Sequence, residues 1–152
     1  ALKSFSMTSA RYLRLLRESA LGDGPAQIYI TEIDQARLRD LIALEQGPAI
    51  AELEHEVERA IVVGPHQVAR NVVTMNSRAL LHLDDEEMEV ALVYPEDADD
   101  SAGKLSVYSD IGTAILGYKE GDAFDWRIPN RTRRISIEKV LYQPEAAGDF
   151  DL

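Results

Sequence analysis

The chain has 152 residues, 45% of them hydrophobic, a formal charge of −11 and no cysteine. A chain of this length holds one ordinary domain or two small ones and buries a real core. Without cysteine there is no disulfide framework or thiol chemistry, no apolar run reaches the ~20 residues of a membrane span, and an acidic body repels a phosphate backbone.

The charge suits either simple solubility or a basic protein surface as partner; no direct sequence-specific nucleic acid, no membrane and no small-molecule substrate are expected. The N-terminus shows no apolar stretch leading to a small-residue cleavage site, so a cytoplasmic location is expected.

Residues Ser9–Leu21 read as a helix with Leu13, Leu16 and Ala20 on one face and Arg11, Arg14 and Arg17 on another, stopped by Gly22-Asp23-Gly24-Pro25. Packing on the protein itself is favoured over lying on a membrane. Residues 1–26 are set apart as an N-terminal extension. After a short apolar lead-in, Gln27–Ile30, Thr31 reads as an N-cap, with Asp34 completing a weak capping box. A helix runs to about Glu45, with Leu38, Leu41, Ile42 and Leu44 apolar. Gln46-Gly47-Pro48 breaks it. A second helix spans about Ala49–Val62, its seam formed by Ile50, Leu53, Val57 and Ala60/Ile61. So short a connection folds the helices into an antiparallel hairpin over 27–64. Residues 65–71 read as a linker.

From Val72 the period changes to that of strands. Val72-Val73-Thr74-Met75 reads as a strand, as do Arg78–Leu83, Met88–Tyr94, Ala123–Ile128 and Arg133–Tyr142, with Lys104–Tyr108 unassigned after an acidic loop. Turns fall at Asp84–Glu87, Lys119–Asp122 and Pro129-Asn130, an acidic loop at Pro95–Gly103, and a short helix or turn at Ile111–Leu116. The fold class is α+β, with a helical hairpin preceding an antiparallel β body over 72–152.

Chemical motifs are sparse. His55 and Glu58 stand three apart on one helix, but no second pair faces them, so no metal or other cofactor is expected. Glu54, Glu56 and Glu58 read as solvated or paired with Arg37, Arg39 and Arg59. Trp126, Phe124 and Ile128 alternate as core residues. Arg127, Arg131, Arg133 and Arg134 form the densest basic cluster of the body, read as a salt-bridged hairpin tip over an acidic-partner or nucleic-acid site. There is no phosphate loop or nucleophile elbow.

Two stretches are more specific: Val72-Val73-Thr74-Met75-Asn76-Ser77-Arg78 and Tyr142-Gln143-Pro144-Glu145-Ala146-Ala147-Gly148-Asp149. With the hairpin-then-strand order, and with these segments taken to mark the first and last strands, the chain from about Ile28 to Leu152 resembles the Rnk branch of the Gre transcription-factor family. The resemblance implies an antiparallel coiled coil followed by an FKBP-like domain. It implies binding at the secondary channel of bacterial RNA polymerase, with the coiled coil entering the channel and the body docking on its rim. The segment from Leu105 to Gly117 sits where the family has a Ser-x-x-Ser-Pro motif, which makes Tyr108, Ser109, Asp110, Ile111 and Gly112 rim-contact candidates. Asp110 stands in place of the family's proline.

Glu45 and Glu52 flank the hairpin turn and are candidate polymerase contacts at the tip. The bland alternative is that they are solvated charges. Each arm has about a dozen residues, ~20 Å at ~1.5 Å per residue, and the tip lacks the Asp-x-x-Glu pair that cleavage-stimulating members carry. The expectation is a non-catalytic regulator that competes with Gre factors without stimulating transcript cleavage. A true cleavage factor, a prolyl isomerase and an adaptor for another protein are the rival readings. The Pro144–Asp149 segment reads as a turn or short helix folded on the body, a seal for the junction between hairpin and body.

Overall fold

A computed structural model describes residues 27–128 and 131–152, excepting the side chains of residues 126–128 and 131. The expected Ser9–Leu21 helix, the Pro129-Asn130 turn and the side chains of Trp126, Arg127, Ile128 and Arg131 lie outside the described residues.

Strand β1 (Tyr29–Thr31) leads into α1 (Glu32–Leu44), and α2 (Pro48–Arg59) leads into β2 (Ile61–Val63). Thr31 caps α1 as its sequence suggests: its Oγ1 accepts the Asp34 N–H at 3.1 Å. Pro48 opens α2, and Gly47 takes a φ of 129° that an L side chain rarely adopts. The seam of α2 buries Ile50, Leu53 and Val57. The helix ends at Arg59, three residues earlier than its period suggested. Ile61–Val63 instead lies parallel to β1, with Tyr29 opposite Ile61 and Thr31 opposite Val63. These β-branched residues are stiff in a helix and suit a ladder.

A five-stranded sheet forms the body, in the order β5-β4-β3-β7-β6. Its strands are β3 (Arg78–Leu83), β4 (Glu86–Val93), β5 (Lys104–Ser106), β6 (Ala123–Ile128) and β7 (Arg131–Tyr142), with α3 (Asp110–Ile115) between β5 and β6 and α4 (Pro144–Ala147) after β7. The sheet is not wholly antiparallel. β5 runs parallel to β4, with Leu92 opposite Leu105. The Pro95–Gly103 loop folds through two short 3-10 turns and crosses back before β5 begins.

Val72–Met75 is not a strand. Val72 makes one isolated bridge, to Lys119. The Ser77 Oγ accepts the Thr74 N–H at 2.9 Å, the Ser77 N–H reaches the Thr74 carbonyl at 3.1 Å, and Asn76 takes a φ of 67°. Side-chain hydrogen bonds of this kind compete with a ladder and close a turn. The segment is nonetheless buried. The other signature stretch is not a last strand either: β7 ends at Tyr142 and α4 follows, a short helix as read for Pro144–Asp149.

One cluster of buried apolar residues links hairpin base and sheet. Ile28, Ile30, Leu38, Leu53 and Val57 meet Ala79, Leu81, Val90, Leu92, Ile135 and Ile137, with Ile115, Leu116, Tyr118 and Phe124 alongside. Gly117 lets these parts approach: it has a φ of 82°, and a Cβ there would lie 2.7 Å from the Cβ of Ile28.

Candidate functional site

The tip and the body do not stand apart. Glu45, at the exposed end of α1, and Tyr108, in the turn after β5, line one cleft of about 580 Å³ with Leu41, Leu44, Tyr94 and Pro95. Burial first, and the Glu45 carboxylate second, raise the Tyr108 phenol above its ordinary pKa. Glu52 is half-buried on α2 and does not line this cleft.

The remaining rim candidates face elsewhere. Ser109, Asp110 and Ile111 border a second concavity with Leu105, Arg133 and Ile135. Ser109 is the N-cap of α3: its Oγ accepts the Gly112 N–H at 3.1 Å and donates to the Ser106 carbonyl at 2.6 Å. Asp110 is exposed in the first turn, where its charge suits the helix end. Gly112 is buried, and a Cβ there would lie 2.1 Å from the Ser106 carbonyl oxygen. It serves close packing and presents no surface.

Beneath the cleft lies a junction that sequence reasoning missed. Asp34 is 5% exposed. It does not close the capping box. Its Oδ2 accepts the Met75 N–H at 3.1 Å, and the Tyr94 hydroxyl approaches Oδ1 at 3.5 Å. Burial, aided by the nearby Glu145 carboxylate, pushes its pKa up to about 7, against the opposing pull of the Met75 N–H and Arg37. The Tyr94 phenol is raised in turn by burial and by Asp34. Spacing placed Asp34 in a helical first turn. Nothing in that spacing tells whether the side chain turns out to solvent or in toward the body.

The two signature stretches meet here. The Thr74 hydroxyl donates to Glu145 Oε1 at 2.7 Å, and Gln143 Nε2 donates to the carbonyls of Val72 at 2.8 Å and Ala69 at 2.7 Å. The Asn76 N–H reaches the Leu92 carbonyl at 2.6 Å and the Val73 N–H that of Tyr118 at 2.8 Å. One loop thus joins α1, β4, the turn after α3 and α4.

Several other charged groups are paired. Glu56 is buried on α2, a correction to its reading as an outer-face residue, and it pairs with Arg59 at 2.8 Å. Arg133 pairs with Asp84 at 3.1 Å and Arg134 with Asp125 at 3.0 Å, as expected of a salt-bridged tip. Among the described residues, only His82, Glu87 and Glu138 bring three donors close enough to share a metal ion. They stand across adjacent strands, with His82 Nε2 at 3.3 Å from Glu87 and 2.6 Å from Glu138. All are substantially exposed, and the contacts of His82 are those of a surface hydrogen-bond cluster. No described helix is long and apolar enough to cross a membrane.

Comparison with known proteins gives a concordant result. A family model described as "Rnk N-terminus" matches residues 27–63, and one described as "Transcription elongation factor, GreA/GreB, C-term" matches residues 56–142. A relative from Escherichia coli (strain K12), described as "Regulator of nucleoside diphosphate kinase", is 40% identical over 131 residues, covering 81% of this chain and 95% of the relative. A "Transcription elongation factor GreA" from Thermodesulfovibrio yellowstonii is 30% identical, covering 62% of this chain and 61% of that one. A solved structure described as "Prokaryotic transcription elongation factor GreA/GreB from Nitrosomonas europaea" superposes with a TM-score of 0.67 at 36% identity, covering 78% of this chain and all of that one. The two family models together span residues 27–142, and the chain belongs to the Rnk branch of the GreA/GreB transcription elongation factor family.

Proposed function

We propose that this chain is a non-catalytic regulator that binds RNA polymerase at the rim of its secondary channel and competes there with Gre factors, without stimulating transcript cleavage. In this reading the hairpin is a shortened coiled coil (27–64) and the body (72–152) is FKBP-like. Glu45, Glu52, Tyr108, Ser109, Asp110 and Ile111 are the contacts, with Gly112 setting the backbone beneath them. The setting is the cytoplasm, where a polymerase works.

The observation that carries the reading is the arm. Helices of 13 and 12 residues extend only ~20 Å at ~1.5 Å per residue. Glu45 moreover lies beside the body at Tyr108. A body held at the channel rim leaves such a tip near the entrance. By analogy with the relative's description, the chain acts as a regulator, and in this reading it is not itself a kinase.

The test is binding to purified core polymerase with a Gre factor as competitor and a stalled complex present to report cleavage. Mutually exclusive binding without cleavage is expected. Cleavage would favour the rival catalytic reading. No binding at micromolar concentration would favour an adaptor for another protein.

A further inference from the structure

The cleft between α1 and the Pro95–Asp97 turn has a character of its own. Its volume is about 580 Å³, and Leu44 at its edge is 81% exposed. Around this apolar floor stand four acids, Asp40, Glu45, Glu96 and Asp97, against one base, Arg37. The Arg37 guanidinium is itself turned to the main-chain carbonyl of Leu152. On the wall, the Tyr108 hydroxyl is buried and meets no hydrogen-bond partner among the described residues. A buried polar group with nothing to bond is costly unless an incoming group meets it.

We propose that this cleft seats a lysine- or arginine-bearing segment of the polymerase, its apolar side on Leu44 and its cation among Asp40, Glu45, Glu96 and Asp97. The inference rests on the polymerase-binding reading and names the chemistry of the surface received. Acidic walls around an apolar floor concentrate field and favour a cation on a long apolar stem. A second copy carries the same −11 charge and the same acidic rim, and is repelled. A nucleic-acid strand is repelled for the same reason.

The experiment measures the affinity of the full chain for core polymerase across salt concentrations. It compares wild type, Leu44→Asp, the double variant Glu96→Lys with Asp97→Lys, and Asp110→Lys on the other concavity. All altered side chains are exposed, so melting temperatures should hold. Each cleft variant should weaken binding by about ten-fold or more, and the double variant should flatten the salt dependence. A photocrosslinker at Leu44 should label a Lys/Arg-rich polymerase segment. Cleft variants within about two-fold of wild type, a change of under ~0.5 kcal/mol, with Asp110→Lys losing affinity, would overturn the cleft assignment and leave the functional reading standing. Crosslinking to residues 1–26 of the chain itself would also overturn it, because the cleft would then have its own occupant. Failure of the wild type to bind would sink the functional reading and this inference with it.

Discussion

Asp34 is where one side chain decides most. Its folded pKa of about 7 lies above the ordinary aspartate value of 3.8, so the folded state favours the protonated form. Stability from this group is therefore fully present below about pH 4 and is lost as pH rises toward and through 7. A shift of this size corresponds to about 4 kcal/mol as a ceiling. Asp34→Asn keeps an acceptor for the Met75 N–H and has no charge to bury. Denaturant unfolding should show wild type losing a few kcal/mol relative to Asp34→Asn between pH 5 and pH 8, about 2–4 by linkage. Parallel profiles would mean that Asp34 is ionised and solvated in the fold. Gly112 gives a second test at this scale. Gly112→Ala drives a Cβ into the Ser106 carbonyl and should cost about 1–3 kcal/mol, seen as a lowered melting temperature. Neither demand is written in residue spacing, since a capping aspartate and a helical glycine look alike whether buried or exposed. The Thr31 cap was legible because it acts through its own local backbone; the Ser109 cap was not read, although it acts in the same way.

At the level of elements, the two signature stretches act as one fastening. Thr74→Val removes a hydroxyl that donates to Glu145 and contacts Ser77 at 2.9 Å. It should cost about 1–3 kcal/mol and should speed hydrogen exchange in Pro144–Gly148, where Gly148 and Asp149 donate to Glu145 and Pro144. Unchanged exchange there would show that α4 is held by something else. The hairpin helices and most strands were readable because their apolar residues recur at 3.6 or 2 residues. Val72–Met75 was misread because a buried loop and a buried strand share the same composition. Ile61–Val63 was misread because only its partner β1, thirty-two positions earlier in register, makes it a strand. The parallel β5 was hidden for the same reason: strand direction is set by the loop's path, which no local pattern encodes. For the candidate site, the placement of Glu45 and Tyr108 on one cleft is equally long-range, whereas the exposure of Asp110 follows from its charge.

For the molecule as a whole, the shared core is decisive. Leu38 and Leu53 from the hairpin are fully buried in the same cluster as Leu81 and Ile135 from the sheet. Hairpin and body should therefore unfold in a single transition. Far-ultraviolet dichroism, dominated by the helices, and fluorescence of Trp126 in β6 should give one midpoint. Loss of the helical signal at lower denaturant would show the hairpin to be an independent unit. The excess of acids over bases, 27 against 16, makes any attraction to a basic partner fall with added salt. At the far end of the hairpin, Gly47 has nothing within 4 Å of where a side chain would begin, and the residues around it, Leu44 to Ala49, are exposed. Burial starts only at Ile50. That turn is thus a growth point: the arm can gain whole helical repeats there without repacking a single residue below, and how deep a protein of this build reaches becomes a matter of insertion at one place.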